Sequence, residues 1–430
     1  MAKFLIEGNH PLNGEVTPSG NKNAALPMLA ACTLTEEPII LHNVPEINDV
    51  KAMRDLLESL GVKIENLGNN TLKIEAKEVR PADLDPDLCR KIRASILLAG
   101  PMIARAGELK LPPPGGDVIG RRRVDTHLLA LESLGAIAEF DREGRYFHFK
   151  ANNLSGSNIL LDEASVTATE NAIMAAVTTP GDTIIRNAAS EPHIQELCQF
   201  LNALGAQIEN IGSNTLHIQG VPRLHGGEFS IGPDYLEVVS YIGATIVTHG
   251  SIRIRNAGPQ YLDMIGMVFS RLGVVWNNDG DDIVVPAEQC LEVRPDLGDA
   301  IPEISVMPWP AFPTDLMSIA IVVATQSRGS VLFHDWMYPS RMFFIDKLVS
   351  MGAQIVLCDP HRCIVQGPTP LFGEKMESPD IRAGMSLLIA ALSAQGQSVI
   401  RNIGQIDRGY ERVDEKLRNL GAMIQRVNAD

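Results

Sequence analysis

The chain has 430 residues, 45% of them hydrophobic and 21% charged, with a formal net charge of −15. That composition excludes disordered and fibrous classes, and the length allows two or three domains with sizeable cores. The acidic balance excludes nucleic acid as an expected partner, because phosphate backbones want a basic face.

In chain order, the opening MAKFLIEGNHPLNGE lacks a signal-peptide core, and apolar runs such as Ser95 to Ala104 are too short to span a bilayer. A cytoplasmic protein with no membrane partner is expected. The segment before Lys22 carries a strand with no apolar helix before it. An apolar helix follows (NAALPMLAACTL), then a short strand, a polar loop and an amphipathic helix ending at LESLG. After Gly61 comes the hairpin pattern LGVKIENLGNNTLKIEA.

The same order then recurs. Glycine closes the amphipathic helix at Gly61, Gly135, Gly205, Gly273, Gly352 and Gly421, at spacings of 74, 70, 68, 79 and 69 residues. LGAQIENIGSNTLHIQG nearly copies the first hairpin. Each unit reads as helix, strand, loop, helix and two strands, too large and mixed for a common solenoid period, so two globular domains of three units each are expected. Gly232–Pro233 marks the crossing. Residues 22–231 would form the first domain, and 1–21 with 232–430 the second, the N-terminal strand completing the last unit. Six cysteines (Cys32, Cys89, Cys198, Cys290, Cys358, Cys363) form no CxxC pair, which suggests free thiols rather than disulfides or a metal site.

Charges gather at two places in the unit. The start of the apolar helix carries Lys22, Arg93, Asp315 and Arg382. The loop after the short strand carries Arg121, Arg122 and Arg123, Glu191 and His193, Arg341, and Arg408. A helix N-terminus already attracts anions, so a cation there works against the helix and points to an anionic ligand. Paired surface charges are the bland alternative. A cluster of this kind suits phosphate and carboxylate groups of a small molecule.

At these residues the chain resembles the enolpyruvyl transferases. The resemblance is carried by SGNKNAALP (Ser19 to Pro27), RASILLAGP (Arg93 to Pro101), PGGDVIGRR (Pro114 to Arg122), PAFPTD (Pro310 to Asp315) and IDRGYER (Ile406 to Arg412). It covers essentially the whole chain and implies an inside-out α/β barrel of six βαβαββ repeats, three per domain. It also implies transfer of the enolpyruvyl group of phosphoenolpyruvate to the 3-hydroxyl of UDP-N-acetylglucosamine, with no metal or organic cofactor, as the first committed step of peptidoglycan synthesis.

By the same resemblance, Lys22, Asn23, Arg122, Arg341, Arg382 and Arg408 would hold phosphoenolpyruvate. Asn23, Arg93, Arg122, Arg123, Val124, Asp125, Ser165, Val166, Thr167, Asp315 and Met337 would hold the UDP-sugar. Asp117, Lys22, Asp315 and Arg408 would be catalytic, Asp315 as base for the hydroxyl and Asp117 as acid, on a mobile loop from 113 to 123. Departures from the family pattern stand at several of these positions. Asp117 replaces a usual cysteine, Arg123 a proline, Thr167 a glycine, Tyr338-Pro339-Ser340 a Phe-Glu-Asn, and Gln405 a histidine. They leave open a related transferase with another nucleotide acceptor, or a non-catalytic UDP-sugar-binding relative. The family's shikimate 3-phosphate branch carries Gly-Asn-Ala-Gly-Thr near Arg93, where this chain has Lys91-Ile92-Arg93-Ala94-Ser95.

Overall fold

A computed structural model describes residues 2–80, 84–116, 120 and 123–428. The repeated glycine ends each amphipathic helix in one way. Gly61 sits at φ +95°, its N–H donating to the Glu58 carbonyl at 3.0 Å while the Val62 N–H donates to Leu57 at 3.1 Å. This Schellman closure needs a left-handed residue, hence glycine. The other five glycines repeat both bonds, with φ from +82° to +104°. The chain then enters the hairpin: Lys63–Gly68 pairs antiparallel with Thr71–Glu75. Asn69 and Asn70 between them are both at positive φ, the geometry whose twist suits a two-residue connection.

Residues 158–219 show the complete unit. Strand Asn158–Leu160 leads through helix Val166–Ala176 to the parallel strand Asp182–Arg186. Helix Pro192–Ala203 then leads to Gln207–Glu209 and Thr215–Gln219, the latter pairing antiparallel with Asp182–Arg186. Among the described residues six sheets follow this plan, five of them four-stranded. The sheet of Glu108–Leu111, Tyr146–Lys150 and Ile137–Asp141 has three strands among the described residues.

Both chain ends serve the sixth unit. Lys3–Glu7 lies antiparallel between Gln397–Arg401 and Met423–Val427. A role the sequence did not suggest belongs to Asn13–Val16, which pairs parallel with Ser251–Ile254 as the edge strand of the fourth unit. Gly227–Ser230 does the same for the first unit, parallel to Ile39–His42.

Residues 20–116 and 123–232 form one compact unit; residues 2–19 and 233–428 form the other. Each has its own hydrophobic core. Helices buried on every side fill the core of the unit that holds residues 233–428: every residue of Tyr235–Val247 is buried, and so is every residue of Met317–Ala324. No described helix is long and apolar enough to cross a membrane.

Candidate functional site

In the 20–232 unit, Asn21 caps helix Lys22–Ala31, its side chain accepting the Asn23 N–H at 2.9 Å. Lys22 is the first helical residue and is buried. Its Nζ lies 2.7 Å from Oδ2 of Asp49, itself buried in the first turn of helix Asn48–Ser59. A buried lysine kept beside a buried carboxylate is a paired charge, so neither ligand alone nor surface pairing describes it.

Arg93 opens a 3₁₀ segment, Arg93–Leu98, rather than an α-helix, and its Nη2 donates to the Arg123 carbonyl at 2.7 Å. Arg123 in turn pairs with Asp162 at 2.7 Å and Asp125 at 3.1 Å, and these contacts hold its pKa above the usual arginine value. Asp125 begins helix Asp125–Ser133, with Val124 as its cap. Ser165 immediately precedes helix Val166–Ala176, and Thr167 in its first turn meets His127, with Oγ1 and Nε2 3.0 Å apart. Thr126 Oγ1 donates to Asp162 Oδ1 at 2.7 Å. Arg93, Arg123 to Asp125, and Ser165 to Thr167 are thus stapled into one surface. Asp117, Arg121 and Arg122 lie outside the described residues.

Glu191 and His193 do not lie in an open loop. Glu191 immediately precedes helix Pro192–Ala203 and His193 is buried in its first turn. Close behind, Glu170 is fully buried, and desolvation, then the nearby Glu191 carboxylate, push its pKa well above the ordinary carboxylate range. An apolar helix with a single glutamate was the signal for that group.

In the other unit, Asp315 lies in the 3₁₀ turn Thr314–Leu316 ahead of helix Met317–Ala324. Arg341 Nη2 donates to its Oδ1 at 2.6 Å, and Arg382 Nε to its Oδ2 at 3.4 Å. Both guanidiniums are buried. Desolvation works against the charge on Arg341, but Asp315, Asp380 and Asp335 together leave its pKa above its ordinary value. Arg341 Nε is buried with no acceptor among the described residues. Asp380 caps helix Ile381–Ser393 by accepting the Arg382 and Ala383 N–H groups at 2.8 and 2.9 Å, which fixes the backbone that carries Arg382.

Arg382 Nη1 also donates to the Tyr410 hydroxyl at 3.2 Å, and its guanidinium lies 5.5 Å from that ring's centre. The hydroxyl lies 3.0 Å from Ser240, which donates to the Leu236 carbonyl at 2.7 Å. Arg408 Nη1 donates to Gln405 Oε1 at 2.9 Å, and the Arg341 guanidinium stands over the Tyr338 ring. The Met337 N–H donates to Asp335 at 3.1 Å. Asp49, Asp335, Tyr410 and Ser240 were not among the residues expected from sequence; Tyr410 lies inside IDRGYER and could have been read there. Two buried arginines converging on one carboxylate, one of them with a spare N–H, can take a small anion and hold a carboxylate against a hydroxyl. No group of three or more His, Cys, Asp or Glu among the described residues could hold a metal ion.

Residues 6–417 match the family model of EPSP synthase (3-phosphoshikimate 1-carboxyvinyltransferase). The UDP-N-acetylglucosamine 1-carboxyvinyltransferase of Bradyrhizobium diazoefficiens is 55% identical over 426 residues, covering 99% of this chain and 98% of that protein. The protein of the same name from Treponema denticola is 53% identical over 425 residues, covering 99% of each. Among solved structures, the enolpyruvyl transferase NikO from Streptomyces tendae superposes with a TM-score of 0.88 at 23% identity, covering 100% of this chain and 99% of that one. EPSP synthase from Acinetobacter baumannii gives 0.76 at 17%, covering 100% of both. At such identities these two speak for the inside-out α/β fold alone.

Proposed function

This chain belongs to the EPSP synthase family of enolpyruvyl transferases, and from that premise we infer that it transfers the enolpyruvyl group of phosphoenolpyruvate to the 3-hydroxyl of UDP-N-acetylglucosamine. The observation that carries this reading is the match along the whole chain, at 53–55% identity, to two relatives of that name. As the first committed step of peptidoglycan synthesis, the reaction would take place in the cytoplasm.

The sugar hydroxyl adds to C2 of phosphoenolpyruvate while C3 gains a proton. Phosphate then leaves as C3 gives a proton up. Addition needs a base at the hydroxyl and an acid at C3, and these roles go to Asp315 as base and to Asp117, with Lys22 as the other proton donor, as acid. Lys22, Asn23, Arg122, Arg341, Arg382 and Arg408 hold the phosphate and carboxylate of the donor, stabilising charge in the tetrahedral intermediate. The spare Nε–H of Arg341 supports such a role, since a buried donor wants an acceptor. The sugar nucleotide is assigned to Asn23, Arg93, Arg122 to Asp125, Ser165 to Thr167, Asp315 and Met337.

Phosphate release from phosphoenolpyruvate is the test. It should require UDP-N-acetylglucosamine, and shikimate 3-phosphate should not replace it. Release with another nucleotide sugar only would move the chain to a different acceptor, and binding without release would make it a non-catalytic relative.

A further inference from the structure

The hydroxyl of Thr167 is held in a chain whose hydrogen-bond direction can be read from end to end. Asn171 starts it. Its Oδ1 accepts the Gly100 N–H at 2.7 Å and its Nδ2 donates to the Ile96 carbonyl at 2.9 Å, so the amide cannot be turned over. A Cβ on residue 100 would lie 2.3 Å from the Asn171 carbonyl, so that contact is closed tightly around a glycine. The second Nδ2 hydrogen points at His127 Nδ1, 2.9 Å away.

His127 Nδ1 must therefore accept, and the ring proton sits on Nε2, facing Thr167 Oγ1 at 3.0 Å. His127 is 1% exposed. Desolvation, then the charge of Arg93, push its pKa down to about 3, so the ring is neutral at physiological pH. Thr167 Oγ1 receives that proton, and its own hydroxyl proton has no acceptor among the described residues. Thr167 is only partly buried, at the first turn of helix Val166–Ala176.

We propose that Asn171 and His127 act as positioning residues that turn the Thr167 hydroxyl outward, so that it donates a hydrogen bond to an oxygen of the bound sugar nucleotide. The inference rests on reading Ser165 to Thr167 as part of the nucleotide surface. It adds Asn171 and His127 to the site, and it gives the threonine that stands in place of glycine a function of its own.

The test compares Thr167→Val with Thr167→Ser in the full chain, by calorimetric titration of UDP-N-acetylglucosamine and by steady-state kinetics. Valine keeps the shape and removes the donor. It should raise Kd and KM for the sugar nucleotide about tenfold, leaving kcat and KM for phosphoenolpyruvate within about twofold. Serine should bind like the parent. His127→Leu should weaken binding in the parent but add nothing in the Thr167→Val background, while His127→Gln, which can accept from Asn171 and donate to Thr167, should restore affinity. Unchanged affinity in Thr167→Val overturns the inference, as does an equal loss from His127→Leu in both backgrounds. Should the leucine variant not fold, the valine–serine comparison decides alone. A parent that neither binds UDP-N-acetylglucosamine nor releases phosphate defeats the proposed function instead, and this inference falls with it.

Discussion

At the scale of single residues, four of the positions that depart from the family pattern have a partner inside the chain. Arg123 pairs with Asp162 and Asp125, Thr167 meets His127, Gln405 accepts from Arg408, and Tyr338 lies beneath Arg341. Such compensation supports retention of the site. For Asp315 the structure also selects the informative variant. Alanine would leave two buried guanidiniums without their carboxylate, a strongly destabilising change. Asp315→Asn keeps an acceptor for Arg341 and removes the base, so turnover should fall by about 10²–10⁴-fold with UDP-sugar affinity little changed. Near-parental turnover would take the base role away from Asp315. A second prediction concerns fosfomycin, an epoxide opened by the loop cysteine of most relatives. Here the loop offers Asp117, a far weaker nucleophile. Cys89, the nearest cysteine in sequence, is buried, and desolvation pushes its thiol up to about 12. Activity should survive the drug with no mass adduct, and Asp117→Cys should gain time-dependent inactivation. An adduct on the parent protein would refute this.

Among the elements, the repeat glycines were legible because one backbone constraint shows up as one residue type. The same closure predicts how their substitution differs. Gly421→Ala meets nothing nearer than the Pro11 carbonyl at 3.6 Å, so its cost is the left-handed conformation alone, about 1–2 kcal/mol. At Gly273 a Cβ would stand 2.1 Å from the Cys290 carbonyl and 2.5 Å from the Glu292 nitrogen, so backbone must move as well. Urea unfolding should rank Gly273→Ala as clearly the more damaging; equal midpoints would mean that the 290–292 segment yields freely. Another recurrence is open to the same reading. Asn43, Asn187 and Asn402 follow the inner strands at positive φ, and their amides donate to Ile231, Leu161 and Ser378 just past the neighbouring parallel strands. What could not be read were pairings over long separations. Lys22 with Asp49, His127 with Thr167, and Tyr410 with Ser240 leave no local period, because only the packed repeat brings them together.

For the whole molecule, the connectivity of the two units has unequal consequences. Every strand of the three sheets in the 20–232 unit lies within Ile39–Ser230, so the chain that builds this unit is continuous. The other unit needs both ends of the sequence. Lys3–Glu7 is an inner strand of its sheet, and Phe4, Ile6 and Leu12 are fully buried. Three such side chains contribute about 1.5–3 kcal/mol each, a total comparable with the 5–15 kcal/mol that holds a typical domain folded. Residues 20–232 alone should therefore unfold cooperatively, and residues 233–430 alone should not. The remedy is specified by register: Lys3 lies opposite Val427 on antiparallel neighbours, so the end of the last strand adjoins the start of the first. A permuted chain running from 233 to 430, through a short glycine-containing linker, and on through residues 1–19 restores the missing strands at the cost of one hairpin loop. Circular dichroism and denaturant titration of the three proteins decide the matter. Cooperative unfolding of 233–430 without the N-terminal strands would show that its core does not depend on them, and failure of the permuted chain would show that the strand pairing alone is not enough.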